Sequence, residues 1–294
     1  MPCAVDSFGK INLFLQVVGR RPDGYHQLET LFLPLAFPCD RIAVEWDAPG
    51  GLTVKSDDPT VPDGPDNLIW KAASGYAERA KLPPNWHFFL GKQLPVAAGL
   101  GGGSGNAGRV LQLLEQHYGA LGEAGLRDLA RTLGADVPFF LSGRAAWASG
   151  IGDELTILAK PVKTLSLVLV NPGFPVGVKW AYRQLDAGSF APVDPEVKAA
   201  LLQAYHDGDA RRLAGLIRND LAPALWRKFP LLVLLRRTML SSGALAVEVS
   251  GSGSTLFAVT ENAASAKAVA SAVRCQFAED RGIRVWTTEG KHDE

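Results

Sequence analysis

The chain has 294 residues, a length that suits one large or two modest domains, and two are expected. Hydrophobic residues make up 47% and charged residues 20%, enough to bury a core and too evenly spread for a disordered chain. Thirty basic and thirty acidic residues cancel, so no excess positive field draws it to nucleic acid or anionic lipid, and any phosphate binding must be local.

Residues 11–18 alternate, with Ile11, Leu13, Leu15 and Val17 on one face, the period of a half-buried strand. Arg21-Pro22-Asp23-Gly24 then supplies turn chemistry. A second strand runs through Ile42, Val44 and Trp46. Asp66-Asn67 ahead of Leu68-Ile69 predicts a helix start, and helical spacing continues to about Ala80. A short strand over 87–90 precedes the glycine-rich run 98–105, and Ala107, Val110, Leu111 and Leu114 then follow the i, i+3, i+4, i+7 pattern of a helix. The glycines therefore sit at a helix N-terminus. Leu126, Leu129, Ala130 and Leu133 mark another helix, with a left-handed cap expected at Gly134.

An apolar strand over 165–170 follows Ala159-Lys160-Pro161, where the chain is cut into an N-terminal domain, 1–160, and a C-terminal domain, 161–294. The second part predicts helices near 195–206 and 208–218, strands over 246–249 and 255–259, and an alanine-rich helix from about Ala263. Strands and helices interleave without a regular strand–helix repeat, so the expected class is α+β.

Cys3, Cys39 and Cys275 match neither a zinc site nor a disulfide framework and read as reduced thiols. No apolar run approaches the roughly 20 residues of a membrane helix. The N-terminus lacks a basic region, apolar stretch and small-residue cleavage site, so a cytoplasmic location is expected.

Four constellations carry chemistry. In the run from Pro95 to Ala107, glycines turn backbone N–H groups outward ahead of the positive end of a helix, making an anion site suited to a triphosphate. A packing turn is the plain alternative. Gly103-Ser104-Gly105-Asn106-Ala107-Gly108 also matches the dinucleotide fingerprint, but the stretch after it reads as helix where a strand ending in an acidic residue is needed. Second, Lys10 and Asn12 share the strand face opposite the apolar one, either as a solvated pair or as a cation and an amide aimed at a ligand. Tyr25 and His26 beside the turn either stack on and hydrogen-bond a flat ring or pack a loop. Third, Asp136 precedes an apolar run, where it serves as a helix cap or as an ionised carboxylate able to take a hydroxyl proton. Fourth, the segment from Ser250 to Thr255 is a hairpin loop or a backbone folded over a ligand.

In this order, the segments resemble the GHMP kinase superfamily, which includes galactokinase, homoserine kinase, mevalonate kinase and phosphomevalonate kinase. Lys10-Ile11-Asn12-Leu13, Arg21-Pro22-Asp23-Gly24-Tyr25-His26 and Gly134-Ala135-Asp136-Val137-Pro138-Phe139-Phe140 are similar to the branch acting on cytidine-diphosphate-linked methylerythritol. Asp66-Asn67-Leu68-Ile69, Asn219-Asp220-Leu221 and Gly251-Ser252-Gly253-Ser254 agree as well. The resemblance implies an N-terminal domain like the second domain of ribosomal protein S5 and a ferredoxin-like C-terminal domain. It implies ATP-dependent phosphorylation of the 2-hydroxyl, with Mg2+, in non-mevalonate isoprenoid precursor synthesis. It assigns Asp136 as base and Lys10 as the group orienting the hydroxyl. ATP falls to Asn67, Lys92, Pro95, Gly99, Leu100, Gly101, Gly102, Gly103 and Ser104; the substrate falls to Asn12, Tyr25, His26, Tyr182, Gly251, Ser252 and Gly253. No protein ligand for the metal is identified. The expected partner is this small molecule, with no nucleic acid or membrane, in a monomer or weak homodimer. Gly105 stands where a second serine is usual in that branch, and Val178, preceded by Gly177, where a small hydroxyl residue is common. A kinase of another small alcohol, or a nucleotide-binding module without catalysis, is the alternative.

Overall fold

The computed structural model describes residues 3–185, 190–279 and 282–291. The chain opens with two long strands, β1 (Cys3–Arg20) and β2 (His26–Trp46), which contribute residues to two compact units.

The first unit holds the chain up to Gly9, Pro38–Val96 and Gly101–Gly143. Its strand β3 (Thr53–Ser56) pairs in parallel with β4 (Trp86–Gly91), and β4 pairs antiparallel with the end of β2. The register sets Ile42 opposite Leu90, Val44 opposite Phe88 and Trp46 opposite Trp86. These side chains stack on one sheet face because strand side chains alternate. Against them pack buried residues of α1 (Leu68–Ala80) and α2 (Gly102–Tyr118). Asn67 caps α1 as expected, its side chain accepting the Ile69 N–H at 2.8 Å. α3 (Gly122–Leu133) buries Leu126, Leu129 and Ala130. Gly134 departs from expectation: its φ of 161° is extended, and the helix ends with its N–H donated to the Ala130 carbonyl. The chain must then turn at once into α4 (Val137–Ser142), which has Pro138 in its first turn. The helices approach closely at glycines: a Cβ on Gly75 would meet Leu129 Cδ1 at 2.9 Å, and one on Gly108 would meet Phe140 Cβ at 2.8 Å.

The second unit holds Lys10–Phe37, Ala97–Leu100 and the chain from Arg144 on. β5 (Ala146–Ser149) pairs antiparallel with the first half of β2 and with β6 (Glu154–Ile157). β7 (Ser166–Asn171) leads to α5 (Val178–Arg183), α6 (Pro195–Asp207) and α7 (Ala210–Ala214). The last is shorter than its periodicity predicts, because β8 (Arg218–Asn219) leaves the helix to pair in parallel with β1 at Phe14 and Leu15. α8 (Ala222–Lys228) and α9 (Pro230–Ser241) follow, then β9 (Ala246–Val249), β10 (Leu256–Thr260), α10 (Ala263–Gln276) and β11 (Arg284–Glu289).

β7, β9, β10 and β11 form an antiparallel sheet in the order β11-β7-β10-β9. With helices after the first and third of these strands, this is the ferredoxin-like arrangement expected of the C-terminal part. Val168, Val170, Val247, Val249, Leu256 and Ala258 line one face, covered by Leu232, Leu235 and Met239 of α9 and Val269 and Val273 of α10. The chain is of the α+β class.

Candidate active site

The second unit carries Lys10, Asn12, Tyr25, His26, Gly99, Leu100, Tyr182, Gly251, Ser252 and Gly253. Lys10 and Asn12 are 4% and 2% exposed, so the pair is not a solvated face. Burying an ammonium is costly unless it is partnered. Lys10 Nζ donates to Asn12 Oδ1 at 2.7 Å and lies 4.9 Å from the centroid of the Phe32 ring. Asn12 in turn donates to Thr30 Oγ1 at 2.8 Å, and Thr30 donates to the Phe14 carbonyl at 2.5 Å. Each amide end of Asn12 is thereby fixed, and the ammonium is aimed by a residue that is itself held.

The loop from Ser250 to Thr255 closes on itself through Ser250 N–H to the Thr255 carbonyl, 2.9 Å. It also interlocks with residues 97–100. Ser250 Oγ donates to the Gly99 carbonyl at 2.8 Å, and Thr255 N–H to the Ala98 carbonyl at 3.2 Å. A Cβ on Gly99, whose φ is +79°, would lie 2.0 Å from the Ser250 carbonyl oxygen, so only glycine permits this approach. The Leu100 carbonyl accepts the Lys10 N–H at 2.9 Å. Asn219 holds the far side of the loop, donating to the Val249 and Gly251 carbonyls at 2.7 and 2.8 Å. The loop is a built, buried element rather than a free hairpin, and Gly251 borders Asn12 Oδ1.

His26 and Tyr182 are brought together: their rings stack at 5.0 Å with planes 29° apart. Burial, and then the positive charge of Arg20, hold the His26 imidazole below its ordinary pKa, so the ring is neutral at pH 7. Tyr25 is 61% exposed, its backbone N–H bonded to Asp23 Oδ1.

The first unit carries Asn67, Lys92, Pro95, Gly101, Gly102, Gly103, Ser104 and Asp136. Gly101 stands at the N-cap of α2 with φ +68° and offers no side chain to the first N–H groups, which leaves that helix end able to serve an anion. Lys92 is beside it: a Cβ on Gly102 would lie 3.3 Å from Lys92 Nζ. The Lys92 side chain, 6% exposed, pairs at 2.6 Å with Asp40, which is fully buried. Asp40 also accepts the N–H groups of Gln93 and Leu94 at 2.8 Å and the Asn106 amide at 3.0 Å. Both ends of the Asn67 amide are engaged, with Ile69 N–H and with the Pro62 carbonyl. Gly105 has its own steric reason. A Cβ there would meet the Phe8 carbonyl oxygen at 2.6 Å, so a serine does not fit this backbone.

Asp136 occupies the N-cap position of α4, yet its side chain makes no capping hydrogen bond. The capping alternative is therefore not what the carboxylate does. The stretch after the glycines is helical through Leu133, apart from the turn at Gly119, which removes the dinucleotide alternative.

Asp40 and Thr30 belong to no motif in the sequence, and Asn219 stands there within Asn219-Asp220-Leu221 without a role. Each acts through hydrogen bonds to residues distant in sequence, and only a buried polar side chain inside an apolar strand hinted at the first two.

These features define an α+β chain with the two-part architecture of small-molecule kinases. The family model described as "GHMP kinases N terminal domain" matches residues 67–144 and "GHMP kinases C terminal" matches 197–279. A homoserine kinase from Cytophaga hutchinsonii shares the fold, with TM-score 0.72 at 18% identity over 98% of this chain and 94% of that one. A crystal structure of 4-(cytidine 5'-diphospho)-2C-methyl-D-erythritol kinase superposes with TM-score 0.82 at 38% identity, covering 99% of this chain and 100% of that one. The 4-diphosphocytidyl-2-C-methyl-D-erythritol kinase of Geobacter sulfurreducens is 36% identical over 91% of this chain and 93% of its own length. That of Thermus thermophilus is 41% identical over 90% of each. The chain belongs to the 4-diphosphocytidyl-2-C-methyl-D-erythritol kinase family of GHMP kinases.

Proposed function

We propose that this chain transfers the γ-phosphoryl group of ATP to the 2-hydroxyl of 4-diphosphocytidyl-2-C-methyl-D-erythritol, a step of non-mevalonate isoprenoid precursor synthesis. The observation that carries the chemistry is the buried Lys10 ammonium, bonded to an Asn12 that Thr30 and Phe14 hold in place. A cation fixed before the substrate arrives needs no reorganisation when negative charge moves to the transferring group.

In the reaction a bond forms from the 2-oxygen to the γ-phosphorus, the bond from that phosphorus to the β-bridging oxygen breaks, and ADP leaves. The hydroxyl proton goes to Asp136, whose carboxylate is not engaged in capping its helix. Lys10 orients the hydroxyl, and Asn12 contacts the substrate. Because the transition state is loose, positioning outweighs base strength. Gly99, Leu100, Gly101, Gly102, Gly103 and Ser104 cradle the phosphates, with Pro95, Asn67 and Lys92 on the nucleotide side. Tyr25, His26 and Tyr182 take the cytosine, and Gly251, Ser252 and Gly253 complete the substrate side.

Magnesium enters as the counter-ion of ATP. Among the described residues no cluster of three or more His, Cys, Asp or Glu could hold a metal ion. That suits a metal bound chiefly through substrate phosphates and one or two carboxylates. The family matches fall on either side of residue 160, which supports the division into 1–160 and 161–294. Among the described residues no helix is long and apolar enough to cross a membrane, and we place the enzyme in the cytoplasm as a monomer or weak homodimer.

The test is ADP release with magnesium, ATP and the cytidine substrate, with mevalonate and homoserine as control alcohols. Turnover that needs the cytidine substrate supports the proposal. Turnover only with another alcohol discards the substrate, and ATP binding without any turnover favours the binding-module reading.

A further inference from the structure

The His26 imidazole has a second aromatic neighbour. Phe190 meets it edge-on, with centroids 5.9 Å apart and planes at 81°. Stacking on Tyr182 fixes the plane of the imidazole but lets it slide and spin within that plane, whereas a perpendicular ring at its border limits those motions. Orientation matters here because a neutral imidazole carries a donor on one nitrogen and an acceptor on the other.

Phe190 lies outside regular secondary structure, so something else must place it. Gln16 of β1 does so. It is 8% exposed, and its Nε2 donates to the Ala191 carbonyl at 3.0 Å and the Pro192 carbonyl at 3.4 Å. A buried amide is costly unless bonded, and this one bonds the two residues that follow the aromatic ring. Phe190 and Tyr182 also rest on the same apolar core.

We propose that Phe190, latched through its neighbouring backbone by Gln16, is a positioning residue for pyrimidine recognition that holds the His26 ring against Tyr182 in the orientation meeting the base. The inference rests on the reading that His26 and Tyr182 take the cytosine, and it assigns Phe190 an effect on the cytidine ligand alone.

The experiment measures CDP binding by calorimetry to the full chain, for the wild type, Phe190→Leu, His26→Gln and the double variant, with UDP as comparator. Steady-state kinetics on the same proteins accompany it. Phe190→Leu keeps apolar bulk and removes the ring. It is expected to weaken CDP binding and raise KM for the cytidine substrate by roughly three- to tenfold, with kcat and KM for ATP unchanged. In the His26→Gln background the same substitution is expected to change CDP binding by less than about twofold, since independent sites add and coupled ones do not. Phe190→Tyr restores the ring and the affinity, and Gln16→Leu weakens CDP in the same direction. Wild-type CDP affinity in Phe190→Leu, or an equal loss in both backgrounds, overturns the proposal while leaving the kinase assignment standing. No preference of the wild type for CDP over UDP overturns the cytosine reading and this inference with it.

Discussion

Replacing Gly99 with alanine adds one methyl group at the tightest backbone approach in the candidate site. With φ at +79°, the added Cβ costs about 1–2 kcal/mol in local strain. It would also stand 2.0 Å from the Ser250 carbonyl oxygen, 3.0 Å from its carbon and 3.1 Å from the Gly253 nitrogen. All three are backbone atoms, so no side-chain rotation relieves the overlap. The two loops must part, which costs a further 1–3 kcal/mol as overpacking and loosens the Ser250–Gly99 and Thr255–Ala98 hydrogen bonds. The expected loss is about 2–5 kcal/mol, or a fall in Tm of roughly 4–10 °C. Calorimetric melting of the purified variant measures it. Gly103→Ala is the internal comparison, because a Cβ there meets its nearest neighbour, Leu68 Cδ1, at an ordinary 3.5 Å; its stability should stay within about 0.5 kcal/mol of the wild type. A Gly99→Ala protein melting within about 2 °C of the wild type would refute the interlocked-loop account.

Asp40→Ala should destabilise by about 3–5 kcal/mol in urea titration, since it leaves the Lys92 ammonium buried without its counter-charge; adding Lys92→Met should recover part of the loss. His26 is held below its unfolded pKa, so the unfolded chain takes up its proton first and stability falls as pH drops through 6.5; urea midpoints for His26→Gln should lose that slope. Glu248 shifts the opposite way, burial raising its carboxyl to about 7. Its contribution is full below the unfolded value of 4.5 and is lost as pH rises to about 7, a change on the order of 3 kcal/mol that Glu248→Gln should abolish. Asp136→Asn should lower kcat on the order of 100-fold or more in the ADP-release assay.

Local signals were legible where the chain makes its own structure. Asn67 and the periodicity after it located α1 to the residue, and the glycine run marked the start of α2. The first half of β2 was not legible, because Leu31 to Leu35 are buried on both sides and show no alternation. No helix was expected over α8 and α9, each of which carries a proline in its first turn, Pro223 and Pro230, where it is tolerated. Residues in linear motifs could be found by spacing. Asp40, Thr30, Gln16 and Phe190 could not, since their partners arrive only when the chain folds. A cut at 160 is linear, whereas contacts group the chain into units that each take several separate stretches, an interleaving that leaves no trace in composition.

The most direct test of the central claim is the position of the transferred phosphate. Phosphorus NMR of the product formed from ATP, magnesium and 4-diphosphocytidyl-2-C-methyl-D-erythritol should show one new phosphate monoester coupled to the carbon skeleton at the 2-position, formed in step with ADP and on the order of 100-fold or more slower with Asp136→Asn. ADP formed without that resonance, or a phosphate on a different hydroxyl, would contradict the account.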